Sequence, residues 1–205
     1  MERNQMKKII FATGNKDKLK EIRMILGDMG AEICSMKEAG IALDIVEDGA
    51  TFEENAVIKA KAVSAAAGQG EIVLADDSGL EIDYLGGEPG VYSARYAGED
   101  TPYTIKNQML LDRLAGVPKE QRTARFVCAI AAALPDGQVL VTKGTIEGYI
   151  GFAPAGENGF GYDPIFYLWE GDCTTAQLPP ERKNELSHRG KALRAMKEQL
   201  KQAGI

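Results

Sequence analysis

A short apolar strand, a glycine-containing turn and an amphipathic helix follow one another at the start of the chain, and this order constrains the fold more than any other feature. Residues 9–12 form an apolar run, and Thr13, Gly14 and Asn15 follow it. The apolar residues beyond the turn recur at helical spacing: Leu19, Ile22, Leu26 and Met29. Strands that alternate with helices in this way are typical of the α/β class.

The same alternation continues along the chain. Thr51 and Glu54 form a capping-box pattern that predicts a helix beginning at residue 52, and Gly68 ends it. The remaining predicted elements are a strand over residues 72–75, a helix over 102–114, a strand hairpin over 123–134 and 138–150, and a helix over 190–202. Crossover strands combined with a hairpin predict a mixed β-sheet flanked by helices. With no linker in view, residues 1–205 are expected to form a single domain.

Composition excludes several kinds of partner. The 24 basic and 30 acidic residues give a net charge of −6 and a pI of about 5.0, so we expect no polymeric nucleic acid as a partner. The longest apolar run, residues 127–134, is far shorter than the ~18 residues of a membrane-spanning helix, and we expect no membrane contact. Cys34, Cys128 and Cys173 form no CxxC pair, which argues against zinc and favours a reduced, cytoplasmic location.

The turn after the first strand is a candidate phosphate site. A helix that begins at a glycine turn presents unsatisfied N–H groups and the positive end of its dipole, and Lys16 and Lys18 add full charges. The site would comprise Thr13, Gly14, Asn15, Lys16, Asp17 and Lys18. The alternative is a capped helix with solvated lysines. Lys59, in an alanine-rich helix, is likewise either a solvated residue or a phosphate contact.

Two pairs of carboxylates form the second candidate. Glu47-Asp48 precedes the helix from residue 52, and Asp76-Asp77 ends an apolar strand, where open α/β sheets bind their ligands. Carboxylate oxygens are ligands that suit Mg²⁺, which usually arrives with substrate phosphates. The alternative for Asp76 and Asp77 is the start of an Asp-Ser-Gly turn.

The third candidate is an aromatic and basic set in the last third of the chain. Phe160, Gly161, Tyr162 and Asp163 lie between glycine-rich turns, and Lys183, His188 and Arg189 follow. An exposed aromatic ring can stack on a nucleobase while Arg and His read its edge. For His188 and Arg189 the alternative is a place in the first turn of a helix capped by Ser187, although a cation there opposes the helix dipole.

Taken together, these motifs resemble the inosine triphosphate pyrophosphatase family. The matching segments occur in the family's order and cover nearly the whole chain: Thr13-Gly14-Asn15 with Lys18, Thr51-Phe52 with Glu54-Asn55-Ala56 and Lys59-Ala60, Ala75-Asp76-Asp77-Ser78-Gly79-Leu80, Leu85-Gly86-Gly87, Pro89-Gly90-Val91-Tyr92-Ser93-Ala94-Arg95-Tyr96, Gly159-Phe160-Gly161-Tyr162-Asp163-Pro164 and Ser187-His188-Arg189-Gly190. One such segment is weak, but seven in order are very specific.

The resemblance implies a fold and an activity. The fold is an elongated mixed α/β structure of two lobes with the active site in the cleft between them, usually as a homodimer. The activity is Mg²⁺-dependent hydrolysis of purine nucleoside triphosphates with a 6-oxo group (ITP, dITP and XTP) to the monophosphate and pyrophosphate.

The resemblance also assigns site residues. Asp77 would be the general base, and Glu47 and Asp77 the metal ligands, although Asp48 directly follows Glu47 and could replace it. The triphosphate would be held by Thr13, Gly14, Asn15, Lys16, Asp17, Lys18, Lys59 and Ser78. The base and sugar would be held by Phe160, Gly161, Tyr162, Asp163, Lys183, His188 and Arg189. Residues 171–178 depart from the family's pattern, so no role is carried to them.

Two other functions compete with this one. A Maf-type pyrophosphatase would hydrolyse nucleotides with other bases. The presence of both Phe160-Gly161-Tyr162-Asp163 and Ser187-His188-Arg189-Gly190 favours an enzyme that recognises 6-oxo purines instead. A nucleotide-binding regulator without hydrolysis would have lost the carboxylates, yet Glu47, Asp76 and Asp77 are present.

Overall fold

Six strands and five α-helices make up the regular structure in the computed structural model, which describes residues 7–68 and 70–205. The strands are β1 (Lys7–Phe11), β2 (Ala31–Ser35), β3 (Ile72–Ile82), β4 (Thr123–Ala133), β5 (Val139–Ile150) and β6 (Phe166–Tyr167). The helices are α1 (Lys16–Leu26), α2 (Phe52–Ala67), α3 (Tyr103–Arg113), α4 (Pro180–Leu186) and α5 (His188–Gln202).

The strands form one sheet in the order β2-β1-β3-β4-β5-β6. β1 pairs in parallel with β2 (Ile9 opposite Ile33) and with β3 (Ile10 opposite Val73), whereas β5 and β6 are antiparallel. A tight turn joins β4 to β5, where Leu134 N–H donates to the Gln138 carbonyl. The predicted α/β fold with a mixed sheet is confirmed.

The chain divides into two compact units, each with its own core. The described residues of the first unit fall within Met1–Asp77, Cys128–Lys143 and Gly190–Ile205, and those of the second within Ser78–Val127 and Gly144–Arg189. In the first unit, residues of β1, β3 and β4 pack with the apolar faces of α1 and α5. In the second, β3, β4 and β5 contribute residues that pack with α3 and with the segment around Ile165.

Helix boundaries follow the capping signals. Thr51 Oγ1 accepts the N–H of Glu54, and Gly68 follows the last turn of α2 with a φ of 89° that favours glycine. The last helix begins at His188 rather than at residue 190, and β2 and α4 are elements that the sequence patterns did not predict.

The strand that was expected to end at residue 75 continues to Ile82. Asp76, Asp77 and Ser78 therefore lie within β3 and not in a turn. The reason is that buried apolar residues, Leu80 and Ile82, resume beyond the polar ones and keep the chain extended in the sheet. No helix in the described part of the chain is long and apolar enough to span a membrane.

Candidate active site

The turn between β1 and α1 is held by its own side chains. Asn15 caps α1, and its Oδ1 accepts the N–H groups of Asp17 at 2.9 Å and Lys18 at 3.0 Å. Thr13 Oγ1 accepts the N–H of Asn15 at 3.1 Å. The expectation that these first-turn N–H groups are unsatisfied is therefore wrong for Asp17 and Lys18, because the cap occupies them. A Cβ added at Gly14 would meet nothing within 4 Å, so the space beside this turn is open to a ligand.

The two lysines of this turn point in different directions. Lys18 Nζ lies 3.0 Å from Asp76 Oδ2, toward the carboxylates. Lys16 instead lines a cavity of about 670 Å³, together with Lys20 one turn further on and Lys37 beyond β2. Residues two apart lie on different sides of a helix, whereas residues four apart share one side. Of the two, Lys18 is therefore the lysine that contacts the carboxylates.

Lys59 joins the two acidic segments of the first unit. Its Nζ lies 3.0 Å from Glu47 Oε1 and donates to the Asp76 carbonyl at 2.9 Å. We call Lys18, Glu47, Asn55, Lys59, Asp76 and Asp77 the carboxylate–lysine cluster. The sequence alternative of a solvated Lys59 is wrong, since its ammonium is engaged by two acidic segments. Asp48 is exposed, so the structure brings Glu47 and not Asp48 into the cluster.

Asn55 is the member of this cluster to which the sequence assigned no role. It is 1% exposed, and its Nδ2 donates to Asp77 Oδ2 at 3.0 Å while its Oδ1 accepts the N–H of Gly49 at 2.8 Å. One amide thus fixes both the Asp77 carboxylate and the loop that carries Glu47. The signal for it was a polar residue on the buried face of α2, beside Phe52 and Ala56.

The environment of Asp77 changes its acidity. Burial raises the pKa of the Asp77 carboxyl above its usual range, and the nearby Glu47 carboxylate adds to the rise. The hydrogen bond from Asn55 and the charges of Lys59 and Lys18 oppose it. A raised pKa brings a carboxylate closer to the value that suits a general base near neutral pH.

The donor set of this cluster fits a hard cation. Glu47 and Asp77 are carboxylates close enough to repel each other, and a cation would relieve that repulsion. Within the described residues, no group of three or more Asp, Glu, His or Cys side chains is placed to hold a metal. Mg²⁺ tolerates such a sparse site because it keeps waters and takes substrate phosphate oxygens as ligands.

A second cluster of predicted residues lies within the second unit. The Asp163 carboxylate accepts the N–H of Phe160 at 2.8 Å and the Lys183 ammonium at 2.6 Å, both at Oδ2. The Lys183 Nζ lies 4.8 Å, and the Arg189 Cζ 5.6 Å, from the centre of the half-buried Phe160 ring. We call Phe160, Asp163, Lys183, His188 and Arg189 the aromatic–cation cluster. An aromatic face flanked by cations suits a stacked nucleobase.

His188 and Arg189 begin α5, as the alternative reading of the sequence predicted, yet both are buried. The His188 ring stacks on Phe126 with 4.9 Å between ring centres, and Arg189 is 2% exposed. Arg189 Nη2 lies 3.3 Å from Ser78 Oγ. Ser78 therefore belongs beside the aromatic–cation cluster, although its chain neighbour Asp77 belongs to the carboxylate–lysine cluster.

Tyr162, another predicted site residue, is buried within the second unit. It is 4% exposed, its hydroxyl donates to the Ser93 carbonyl at 2.7 Å, and its ring packs edge-on against Tyr103. Asn107 donates to the carbonyl of Gly161 at 3.2 Å. These contacts give the Tyr162 side chain a supporting position beneath the turn that carries Phe160.

The fold and the two clusters define a class, an α/β protein with one cluster of lysines and carboxylates and a second cluster of an aromatic ring and cations. The family model for the Ham1 family matches residues 9–199. The chain belongs to the Ham1 family, and the resemblance read from its motifs is confirmed.

Proteins of similar sequence and structure match this chain over nearly its whole length. A dITP/XTP pyrophosphatase from Bacillus licheniformis is 48% identical over 198 residues, which cover 97% of this chain and 100% of the relative. A dITP/XTP pyrophosphatase from Bacillus subtilis is 49% identical over 195 residues, or 95% and 98% of the two chains. Among solved structures, the Staphylococcus aureus Ham1 protein matches with a TM-score of 0.85 and 42% identity, over 96% of this chain and 100% of that one.

Proposed function

We propose that this protein hydrolyses purine nucleoside triphosphates that carry a 6-oxo group, dITP, ITP and XTP, to the monophosphate and pyrophosphate. The relatives named dITP/XTP pyrophosphatases support this activity. The observation that carries it is the position of Asp77, a buried carboxylate with a raised pKa, hydrogen-bonded by Asn55 and close to Lys59 and Glu47.

In the proposed reaction, Asp77 accepts a proton from a water molecule as that water attacks the α-phosphorus. The bond between the α-phosphorus and the bridging oxygen breaks, and pyrophosphate leaves with the electron pair of that bond. Lys18 and Lys59 offset the negative charge that collects on the phosphate oxygens. Glu47 and Asp77 would hold Mg²⁺, which neutralises phosphate charge and helps to orient the triphosphate.

The base would bind at the aromatic–cation cluster. A 6-oxo purine presents a hydrogen-bond acceptor where adenine presents an amino donor. Arg189 has donors only, and His188 donates from at least one ring nitrogen. A donor that faces the adenine amino group leaves both groups desolvated without a bond, which costs ~1–3 kcal/mol for each buried group. Phe160 would stack on any base alike.

Two further parts of the proposal concern the assembly and its location. The family resemblance favours a homodimer, and the dispersed cysteines favour the cytoplasm. Sedimentation of the purified protein tests the first, since a species of one chain mass at micromolar concentration would contradict it. Fractionation of the source cells tests the second.

A pyrophosphate-release assay tests the activity. ITP, XTP, dITP, ATP, GTP and the pyrimidine triphosphates are each supplied with Mg²⁺ or with a chelator. We expect release from the 6-oxo purines, dependent on Mg²⁺. A preference for pyrimidine nucleotides would indicate the Maf-type activity instead. Binding of ITP by calorimetry without any release would indicate a regulator.

A further inference from the structure

Asp163 is held from both sides of its carboxylate. Oδ2 accepts from the Phe160 N–H and the Lys183 ammonium, as described above. Oδ1 accepts from the hydroxyl of Thr175 at 2.7 Å. Thr175 and Asp163 are each 3% exposed, and within the described residues Thr175 supplies the one hydrogen bond to Oδ1. Thr175 lies in the segment to which the family resemblance carried no role.

Thr175 lies in a turn that the side chains of its neighbours hold in place. Thr174 and Gln177 cap this turn reciprocally, and the Thr174 hydroxyl donates to the Ala155 carbonyl at 2.7 Å. The Thr175 hydroxyl lies 2.7 Å from Asp163 Oδ1 and 3.3 Å from the Asp163 carbonyl oxygen, so both of these contacts are with Asp163, and the carboxylate contact is the shorter.

The last side-chain torsion of aspartate is broad and shallow when nothing bonds the carboxylate. In Asp163 that rotation is opposed by the two donors at Oδ2 and by the Thr175 hydroxyl at Oδ1, so Thr175 adds a restraint on the direction of the carboxylate. The direction of Asp163 fixes the Phe160 backbone and the Lys183 ammonium. Those two groups set where the Phe160 ring and its neighbouring cation stand.

We propose that Thr175 is a positioning residue for the base of the nucleotide, acting through Asp163. This inference rests on the proposed function for the identity of the ligand, a purine nucleotide. Removal of the Thr175 hydroxyl leaves a buried carboxylate oxygen without a donor and loosens the ring and the ammonium that meet the base. Binding of the base weakens, whereas binding of the phosphates and the chemical step are unaffected.

The test compares Thr175→Val, which removes the hydroxyl at nearly constant shape, with Thr175→Ser, which keeps it. Thr142→Val is the matched control, because the Thr142 hydroxyl is also buried and donates to the Ala192 carbonyl at 2.8 Å, within the first unit. The readouts are KM and kcat for ITP, and calorimetric binding of inosine monophosphate and of inorganic tripolyphosphate, which has no base.

We expect Thr175→Val to raise KM for ITP and the Kd of inosine monophosphate by about tenfold, the scale of one buried charge-assisted hydrogen bond. Its kcat and the Kd of tripolyphosphate should stay within about twofold of the parent, since these do not involve the base. Thr175→Ser and Thr142→Val should match the parent in all four values.

A KM for Thr175→Val equal to that of Thr142→Val overturns the inference, and so does weakening of tripolyphosphate in parallel with inosine monophosphate. If Thr175→Val does not yield folded protein, Thr175→Ala removes the same hydroxyl without the added methyl group and decides the question. Failure of the parent protein to hydrolyse ITP or XTP overturns the proposed function instead. In that case inosine monophosphate binding still tests Thr175.

Discussion

Asn55 Nδ2 lies 3.0 Å from Asp77 Oδ2, so a side chain of α2 holds the proposed general base in place on β3. The other end of the same amide accepts the Gly49 N–H, and a Cβ at residue 49 would lie only 2.7 Å from that oxygen. The loop can approach Asn55 this closely because residue 49 is glycine. A change at Asn55 therefore affects two parts of the site together.

Asn55→Leu should lower kcat and move the acid limb of the pH profile to higher pH. The Asn55 hydrogen bond lowers the pKa of Asp77, so its removal raises that pKa further above the usual range. A general base acts when deprotonated, and the pH at which activity falls rises with its pKa. We expect kcat, measured as pyrophosphate release from ITP, to fall most at the acid end of the pH profile and to recover in part as the pH rises.

The control is Glu53→Gln in the same first turn of α2. Glu53 pairs with Lys143 at 2.8 Å and does not contact Asp77. The pH profile of kcat for Glu53→Gln should overlay that of the parent protein. An acid limb that is unmoved in Asn55→Leu would show that the amide does not tune Asp77.

Asp77→Asn should greatly lower kcat for ITP and stabilise the fold. General-base loss costs ~10²–10⁴ in rate. Because burial raises the pKa of Asp77, the folded state binds more protons than the unfolded state between the ordinary and the raised value. Stability therefore falls as pH rises through that window, and the loss is complete above it. Asparagine does not ionise, so the variant does not lose stability in this way as the pH rises.

Thermal unfolding in the presence of a chelator checks this prediction. The Tm of Asp77→Asn should exceed that of the parent at pH 7 and converge with it near pH 3. Asp48→Asn, at an exposed carboxylate one residue from Glu47, should change neither Tm nor kcat. A lower Tm for Asp77→Asn at neutral pH would contradict the cost assigned to the buried charge.

Local signals, namely apolar spacing, helix caps and a turn at residues 135–137, were sufficient to predict α1, α2, α3 and the hairpin, because each depends on residues close in the chain. β2 was not predicted because it has five residues, of which Glu32 and Ser35 are polar. The continuation of β3 past Asp77 depends on burial of Leu80 and Ile82, which a local pattern interrupted by two aspartates does not show.

The candidate site likewise contains residues that local patterns predicted and contacts that they did not predict. Lys18 and Asp77 were predicted from residue type and from their places beside the expected ends of elements, and Lys59 from its charge within an alanine-rich helix. The occupation of two N–H groups by Asn15, and the bonds that Asn55 and Thr175 make to aspartates, were not predicted. Asn55 and Asp77 are 22 residues apart, and Thr175 and Asp163 are 12 apart, so only tertiary packing pairs them.

Arg189→Ala should narrow the preference for ITP over ATP. Arg189 presents donors beside the Phe160 ring, and donors match the 6-oxo group but not the amino group of adenine. Loss of one such contact is worth about one to two powers of ten in discrimination. Phe160→Ala should lower kcat/KM for both nucleotides by similar factors. The measurement is the ratio of kcat/KM for ITP to kcat/KM for ATP in both variants. A ratio in Arg189→Ala equal to that of the parent would show that Arg189 does not recognise the purine base.

Gly159→Ala and Gly161→Ala form a matched pair on the turn that carries Phe160. Both glycines have positive φ, +73° and +68°, so alanine at either position costs ~1–2 kcal/mol of backbone strain. A Cβ at residue 159 would overlap the Asp163 carboxylate and lie 3.2 Å from Lys183 Nζ, whereas a Cβ at 161 would only reach ordinary contact with Tyr103 at 3.6 Å. We expect a lower Tm for both variants, with the larger drop in Gly159→Ala because of the overlap, and KM for ITP raised at least tenfold in Gly159→Ala alone. Equal KM values would mean that the placement of the Asp163 carboxylate does not control binding of the base.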